Sequence, residues 1–204
     1  MIIAFYKPYG VLSQFRLESG SPHRALAEFG FPRDVYPVGR LDADSEGLLL
    51  LAPQTHRTKA LLVPRNNHPR EYWAHVEGIA DHEALRALEN GLAIRDYQTK
   101  PCKAAILPEN AIMPLPERIP PVRFRKSVPT SWIALELTEG KNRQARQMTA
   151  AVGLPTLRLV RVRIGGFVLP FFQPGVWRAL TEKESDALFL RNSPFPTTLL
   201  STTL

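Results

Sequence analysis

The sequence predicts an α+β fold with a mixed, mainly antiparallel sheet. Segments with strand patterns outnumber those with helix patterns, and the helices occur at irregular intervals instead of alternating with strands. No glycine-rich phosphate motif follows a predicted strand, which disfavours a dinucleotide-binding fold and its cofactor. With 204 residues, the chain is long enough for one large domain or two small ones around a substantial core.

The first predicted elements are short and are separated by turn residues. Residues 2–6 form an apolar strand that ends at the turn 7–10, which contains Pro and Gly. Ser21 and Pro22 are typical of the start of a helix, and Gly30 is typical of its end. The next predicted segments are strands over 35–38 and 48–52, which flank an acidic loop, and a helix over 55–63.

The remainder of the chain continues this pattern. Asp81 and Gly91 predict the two ends of one helix, and Thr181 with Glu184 forms the capping box of the last one. Strands are predicted over 71–77, 100–107, 132–137, 156–164 and 176–180, a helix over 142–152, and a proline-rich loop over 110–121. Residues 191–204 are rich in Ser, Thr and Pro, which predicts a mobile tail.

The positive charge is unevenly distributed. The formal net charge is +7, and residues 141–180 contain seven basic residues and no acid. A block of one sign on a folded domain indicates a polyanionic partner, with nucleic acid first and an anionic membrane second. A basic surface without a partner is the alternative interpretation.

The single cysteine, Cys102, excludes an intrachain disulfide and is typical of a reducing compartment. The N-terminal apolar run is too short for a signal sequence, and no window reaches membrane-spanning length. We therefore expect a cytoplasmic protein that has no membrane partner.

The sequence predicts no metal site. None of the five histidines has the spacing of a zinc ligand pair, and Cys102 has no second cysteine. Asp42, Asp44 and Glu46 alternate, so on a strand they would share a face and could hold a hard cation such as Mg²⁺. The alternative is a polar turn whose acids cap the next segment.

A single functional carboxylate is the stronger hypothesis. Asp42 precedes an unbroken apolar run that predicts a buried strand, so the backbone of Asp42 should be held by that strand and its side chain should be partly desolvated. A partly desolvated carboxylate stays ionised only with a cationic or hydrogen-bonding partner. Arg143 and Arg146 are three residues apart on the predicted helix 142–152 and project to the same side. Their alternative role is a solvated helix face.

Three further features could contact RNA. Lys141 at the helix N-terminus adds positive potential for phosphates. In the strand 156–164, Arg161 and Arg163 share a face that we expect to be half-exposed and suited to phosphate contacts. Tyr72 could stack on a base, although an aromatic residue in a strand more often belongs to the core.

Several motifs, in order along residues 3–188, together resemble one family. The segment 39–42 (Gly-Arg-Leu-Asp), followed by Ser45, Gly47 and a leucine run, resembles the signature loop of the pseudouridine synthases. The segment 139–148 with 151–153 resembles the helix motif of the RsuA branch of that family. Further matches are 7–10, 161–166 and 174–178.

The resemblance implies a fold, a reaction and roles for individual residues. The implied fold has two α+β halves with a central cleft over residues 1–190, and no S4-type RNA-binding domain precedes it. The implied reaction converts uridine to pseudouridine through a flipped-out base, without a cofactor or metal. Asp42 would be the catalytic carboxylate, Tyr72 would stack on uracil and take part in proton transfer, and Arg146 would pair with Asp42. Leu159 would line the base pocket and Arg40 would hold the flipped nucleotide.

The implied substrate is ribosomal RNA of the large subunit, either free or in an assembling particle, and we expect the enzyme to act as a monomer. Two other classes fit parts of the sequence. A non-catalytic RNA-binding assembly factor would use the same basic residues, and a Mg²⁺-dependent nuclease would use Asp42, Asp44 and Glu46.

Overall fold

The computed structural model describes residues 1–95, 97–123, 125–170 and 173–197. In these ranges the strands are β1 (Ile3–Lys7), β2 (Tyr36–Pro37), β3 (Glu46–Ala52), β4 (Arg70–Glu77), β5 (Ala93–Ile94), β6 (Tyr97–Gln98), β7 (Lys103–Ile106), β8 (Thr130–Leu137), β9 (Thr156–Ile164), β10 (Phe167–Val168) and β11 (Trp177–Ala179). The helices are α1 (His56–Ala60), α2 (His82–Asn90), α3 (Glu109–Ile112), α4 (Gln144–Ala151) and α5 (Glu182–Ala187). Two 3₁₀ turns cover Leu26–Phe29 and Pro64–Asn66.

Within the described ranges, nine strands form one sheet with the order β11-β1-β3-β9-β4-β8-β7, while β2 pairs with β3 and β10 pairs with β9. The pairings in this sheet are antiparallel, with the exception of β3 against β9. The predicted α+β class with a mixed, mainly antiparallel sheet is therefore confirmed. None of the described helices is long and apolar enough to span a bilayer.

The sheet consists of two halves that meet at β3 and β9. Their parallel register is short, with Glu46 opposite Val160 and Gly47 opposite Arg161. On one side of the junction, the even-numbered residues of β1 and β3 join Trp73 and Val160 in a shared core. The junction therefore fixes the position of the strands on the β3 side of the sheet relative to the strands on the β9 side.

Local sequence signals set several boundaries correctly. The bounds of β9 match the predicted strand 156–164, Asp81 caps α2, and Thr181 with Glu184 forms the predicted capping box of α5. The proline-rich segment 110–121 begins in the short helix α3, which was predicted as loop.

The helix predicted from Ser21 is wrong, because a 3₁₀ turn over Leu26–Phe29 takes its place. The backbone of Arg24 is already engaged with the first loop, since its N–H donates to the Gly10 carbonyl and its carbonyl accepts from the Leu12 N–H. These pairings are incompatible with a helix that continues through Arg24. Only the glycine end of the prediction is confirmed, with Gly30 in the left-handed region.

The predicted mobility of residues 191–204 stays a prediction. Residues 198–204 lie outside the described ranges. Thr197 is buried, and its N–H and hydroxyl donate to the Glu71 carboxylate at 2.8 and 2.6 Å. The described part of this segment therefore has at least one fixed contact with the sheet.

Gly47 makes the junction possible, which gives a first prediction. It has φ +96°, and a Cβ there would overlap the Arg161 carbonyl oxygen and lie 2.9 Å from the Arg161 nitrogen. We expect Gly47→Ala to lower the free energy of unfolding by at least about 3 kcal/mol, because backbone strain and a steric clash add. Gly153→Ala is the control, since Gly153 has φ +78° and open space around it; it should cost only about 1–2 kcal/mol. Equal losses in denaturant titrations would show that the junction tolerates a side chain.

Candidate active site

A cleft of about 660 Å³ opens where the two halves meet. Most of the side chains that the sequence singled out line it. They are Arg40, Asp42, Tyr72, Lys141, Arg143, Leu159 and Arg161. Arg146 and Arg163, which were also predicted to belong to the site, lie outside this lining. The structure therefore gathers residues that are far apart in the chain around one opening.

The loop that carries Asp42 is clamped by the N-terminal segment. Ser13 Oγ accepts from the Leu41 N–H at 2.9 Å and donates to the Leu41 carbonyl at 2.8 Å. The Gly10 N–H donates to the Ala43 carbonyl at 2.7 Å. These bonds fix the backbone on both sides of Asp42, while its side chain stays 38% exposed toward the cleft.

Arg143 is the cation nearest to Asp42 in the described structure. It occupies the N-cap of α4 with φ 51°, a left-handed conformation that is uncommon for a residue with a side chain. Its guanidinium forms a bidentate pair with Asp44 at 3.0 and 2.7 Å. Arg143 Nη1 also lies 3.7 Å from Asp42 Oδ2, beyond hydrogen-bond distance. Asp42 therefore has a positive neighbour without being held in a tight ion pair.

The predicted pairing of Arg146 with Asp42 is wrong, because Asp44 takes that place. Arg146 donates to the Asp44 carbonyl at 2.7 Å and to the Thr156 carbonyl at 3.1 Å, and its Nε lies 3.4 Å from Asp44 Oδ2. Burial alone would raise the pKa of Asp44, but the hydrogen bond from Arg143 and the charges of both arginines lower it overall. Arg146 thus ties α4 to the acidic loop and to β9.

The acidic trio does not gather into a metal site. Glu46 is buried in β3 and accepts two hydrogen bonds from Arg158, at 2.8 and 2.9 Å. Asp44 is engaged by Arg143 and Arg146, and Asp42 lies 3.7 Å from Arg143, so Glu46 has a partner different from that of the other two acids. Within the described ranges, no group of three or more His, Cys, Asp or Glu side chains is placed to hold a metal ion.

The floor of the cleft is formed by Tyr72, Leu159 and Arg161. Arg161 is buried, donates from Nε to the Leu48 carbonyl at 2.7 Å, and lies opposite Tyr72 in the pairing of β9 with β4. Burial lowers the pKa of Arg161, and the interaction with Tyr72 opposes that shift. The half-exposed arginine face predicted for β9 is therefore wrong, because β9 is a central strand of the sheet and its three arginine side chains are buried.

Arg163 is the clearest case of this error. Its side chain is 1% exposed and is shared between the Glu71 carboxylate, at 2.9 Å, and the Glu136 carboxylate. It also donates to the Gly165 carbonyl at 2.6 Å and to the Thr197 hydroxyl at 2.9 Å. A side chain whose charge is neutralised inside the sheet cannot reach an RNA phosphate, so Arg163 has a structural role.

Sequence reasoning missed three residues at or near the site. Lys7 is completely buried behind the acidic loop, and its ammonium donates to the carbonyls of Val11 at 2.7 Å and Pro8 at 3.0 Å. His68 and Arg70 line the cleft. The signal for Lys7 was its place in the turn motif 7–10, and the signal for the other two was a basic segment without acids that precedes β4.

These features define a class of protein: an α+β protein with a cleft that presents a half-exposed carboxylate, an aromatic ring and several cations. Residues 1–151 match the family model described as RNA pseudouridylate synthase. The chain belongs to this family, which confirms the resemblance found in its motifs.

Similar proteins and a solved structure agree with this family assignment. The chain is 51% identical over 178 residues to ribosomal large subunit pseudouridine synthase E of Xanthomonas campestris pv. campestris, covering 87% of this chain and 94% of the relative. It is 43% identical to the protein of the same name from Vibrio vulnificus, covering 88% and 75%. A solved pseudouridylate synthase has a TM-score of 0.74 at 24% identity, covering 92% of this chain and 73% of the other, which confirms the fold.

The buried Lys7 gives a prediction for pH dependence. Burial lowers the pKa of Lys7 from 10.5 to about 7, against the opposing effect of Glu46, Asp44 and Asp42. Between pH 7 and 10.5 the unfolded chain therefore binds a proton that the folded chain does not. Stability should rise with pH in this window, by up to about 1.4 kcal/mol per pH unit from this group.

Lys7→Met should remove this contribution, whereas the exposed Lys59→Met should keep it. The measurement is the free energy of unfolding at several pH values between 7 and 10 for the three proteins. Identical pH profiles for the wild type and Lys7→Met would show that Lys7 is charged in the folded protein across this range.

Proposed function

We propose that this protein converts uridine to pseudouridine in ribosomal RNA of the large subunit. The observation that carries the proposal is the position of Asp42, a half-exposed carboxylate in the cleft opposite Tyr72 and Leu159, on the signature loop of the family. The relatives named ribosomal large subunit pseudouridine synthase E support the substrate class.

The reaction needs a base that has left its stack, because the glycosidic bond is otherwise out of reach. The bond between C1′ and N1 breaks, uracil turns, a bond forms between C1′ and C5, and the proton on C5 is lost while N1 gains one. Asp42 acts at the sugar or the base, either as nucleophile or by taking a proton from the sugar. Both routes need a fixed carboxylate oxygen that faces the cleft, and the clamped loop provides it.

Tyr72 and Leu159 form the base pocket, where the tyrosine ring stacks on uracil and its hydroxyl takes part in proton transfer. Arg161 supports that ring from the paired position on β9. This role replaces the phosphate contact that the sequence predicted for Arg161, because the buried guanidinium has no access to solvent.

Arg40, Lys141 and Arg143 line the opening of the cleft and bind the phosphates next to the flipped nucleotide. Arg146 acts one step further away, by holding Asp44 and with it the loop. We further propose that the enzyme acts as a monomer in the cytoplasm. A non-catalytic RNA-binding protein gains nothing from a carboxylate that faces phosphates, since the charge would weaken binding.

The decisive test is release of tritium from large-subunit ribosomal RNA labelled at uridine C5. Formation of the new C5 bond expels that hydrogen, which neither binding nor strand cleavage does. We expect release by the wild type and a loss of at least about 10⁴-fold in Asp42→Asn, since the variant lacks the reacting group. RNA binding should persist in the variant.

Asp34→Asn is the matched control, because Asp34 is an exposed acid outside the cleft lining whose left-handed backbone suits asparagine. It should release tritium like the wild type. Absence of release by the wild type from both naked RNA and immature subunits, with tight RNA binding retained, would overturn the proposal in favour of an assembly factor.

A further inference from the structure

The basic block predicted to bind RNA is mostly turned inward. Arg158, Arg161 and Arg163 are buried, Arg146 is 12% exposed, and Arg178 is paired with Glu184. Residues 53–69, between β3 and β4, contain no acid but carry three arginines or lysines and two histidines, and Arg70 follows them at the start of β4. The positive charge near the cleft therefore comes to a large extent from a segment that the sequence did not single out.

This segment combines its charge with exposed apolar side chains. Leu62 and Val63 line the cleft and are 45% and 42% exposed. Lys59 and Arg65 are exposed on either side of them and form no ion pair within the described structure. We call these four residues the α1 rim. A single exposed leucine needs no explanation, but an apolar pair between cations at the mouth of a cleft does.

The α1 rim is held in place by several contacts. Asn66 Nδ2 donates to the Ala60 carbonyl at 2.7 Å, and Arg70 donates to the Leu61 carbonyl at 2.9 Å. The Leu62 N–H donates to the Lys59 carbonyl at 3.0 Å, so these two residues share one side of the turn that extends α1. The exposed side chains therefore sit on a supported backbone.

The rim also adjoins the catalytic loop. A Cβ on Gly39 would lie 3.1 Å from Leu62 Cδ2, so the leucine side chain covers the backbone immediately before Arg40. Leu62 therefore lies beside the loop that carries Asp42, in the lining of the same cleft. The nucleotides next to a flipped base are unstacked on one side and expose an apolar face.

We propose that the α1 rim binds the RNA strand that flanks the flipped uridine. Leu62 and Val63 contact the face of a neighbouring base that flipping exposes, while Lys59 and Arg65 contact phosphates. Charge complementarity and the position beside the catalytic loop support RNA as the occupant. The inference rests on the proposed function, because it assumes an RNA substrate in the cleft.

The first test measures phosphate contacts by their salt dependence. In an Asp42→Asn background, Lys59→Ala with Arg65→Ala should reduce the slope of log Kd against log salt by about 1.4–1.8, at about 0.7–0.9 per lost contact. The probe is the shortest large-subunit ribosomal RNA transcript that the wild type modifies. Arg86→Ala with Lys183→Ala is the control, since both residues are exposed on α2 and α5, outside the cleft. An equal reduction of the salt slope in the rim double variant and in the control double variant would overturn the specific role of the rim.

The second test separates the apolar contact from charge. Leu62→Ser should lower kcat/KM for that transcript by about tenfold and leave the salt slope unchanged. Ile79→Ser is the matched control, because Ile79 is 71% exposed and does not line the cleft. A wild-type rate in Leu62→Ser would overturn the contact. If the wild type itself released no tritium, the proposed function would be wrong. If the wild type were active and the rim variants behaved like it, only the proposed RNA contact of the α1 rim would be wrong.

Discussion

The site depends on the parallel contact between β3 and β9. Because Gly47 has no Cβ, the Arg161 backbone can approach β3, and this contact joins the two halves of the sheet. The acidic loop ends where β3 begins, and Arg161 lies at the floor of the cleft. The same contact therefore sets the distance between Asp42 and Tyr72 across the cleft. A shift of one residue in this register would move Asp42 away from Tyr72 and send the alternate side chains of β3 to the wrong face.

Buried charges reinforce the junction but also make it vulnerable. Arg158 with Glu46, and Arg163 with Glu71 and Glu136, are nearly inaccessible to solvent. Replacing one partner of such a pair leaves an uncompensated charge, which costs about 3–5 kcal/mol, although the intact pair adds little net stability. We infer that these pairs mainly specify which strands meet, because Arg158 links β9 to β3 and Arg163 links β9 to β4, across 112 and 92 residues of sequence.

Local sequence patterns predicted most of the helices and strands. They did not predict which charged side chains would pair with each other across the fold. Caps such as Asp81 and Thr181 act within a few residues, so sequence sufficed for the ends of α2 and α5. Alternation predicted the extent of β9 but not its burial, because Arg158 and Arg163 are neutralised by acids from β3, β4 and β8. The motifs placed Arg143 near Asp42, and the two side chains lie 3.7 Å apart. They did not show that Asp44, two residues further on, would take Arg146.

The two aspartates of the acidic loop have different environments. A carboxylate beside two arginines would normally be fixed in a tight pair and unavailable for chemistry. Here Asp44 accepts the bidentate contact from Arg143 and the support of Arg146, so the guanidinium of Arg143 stops 3.7 Å short of Asp42. Asp42 lies next to positive charge, held by its backbone and open to the cleft. One acid of the loop thus anchors the arginines, and the other faces the cleft without a tight partner.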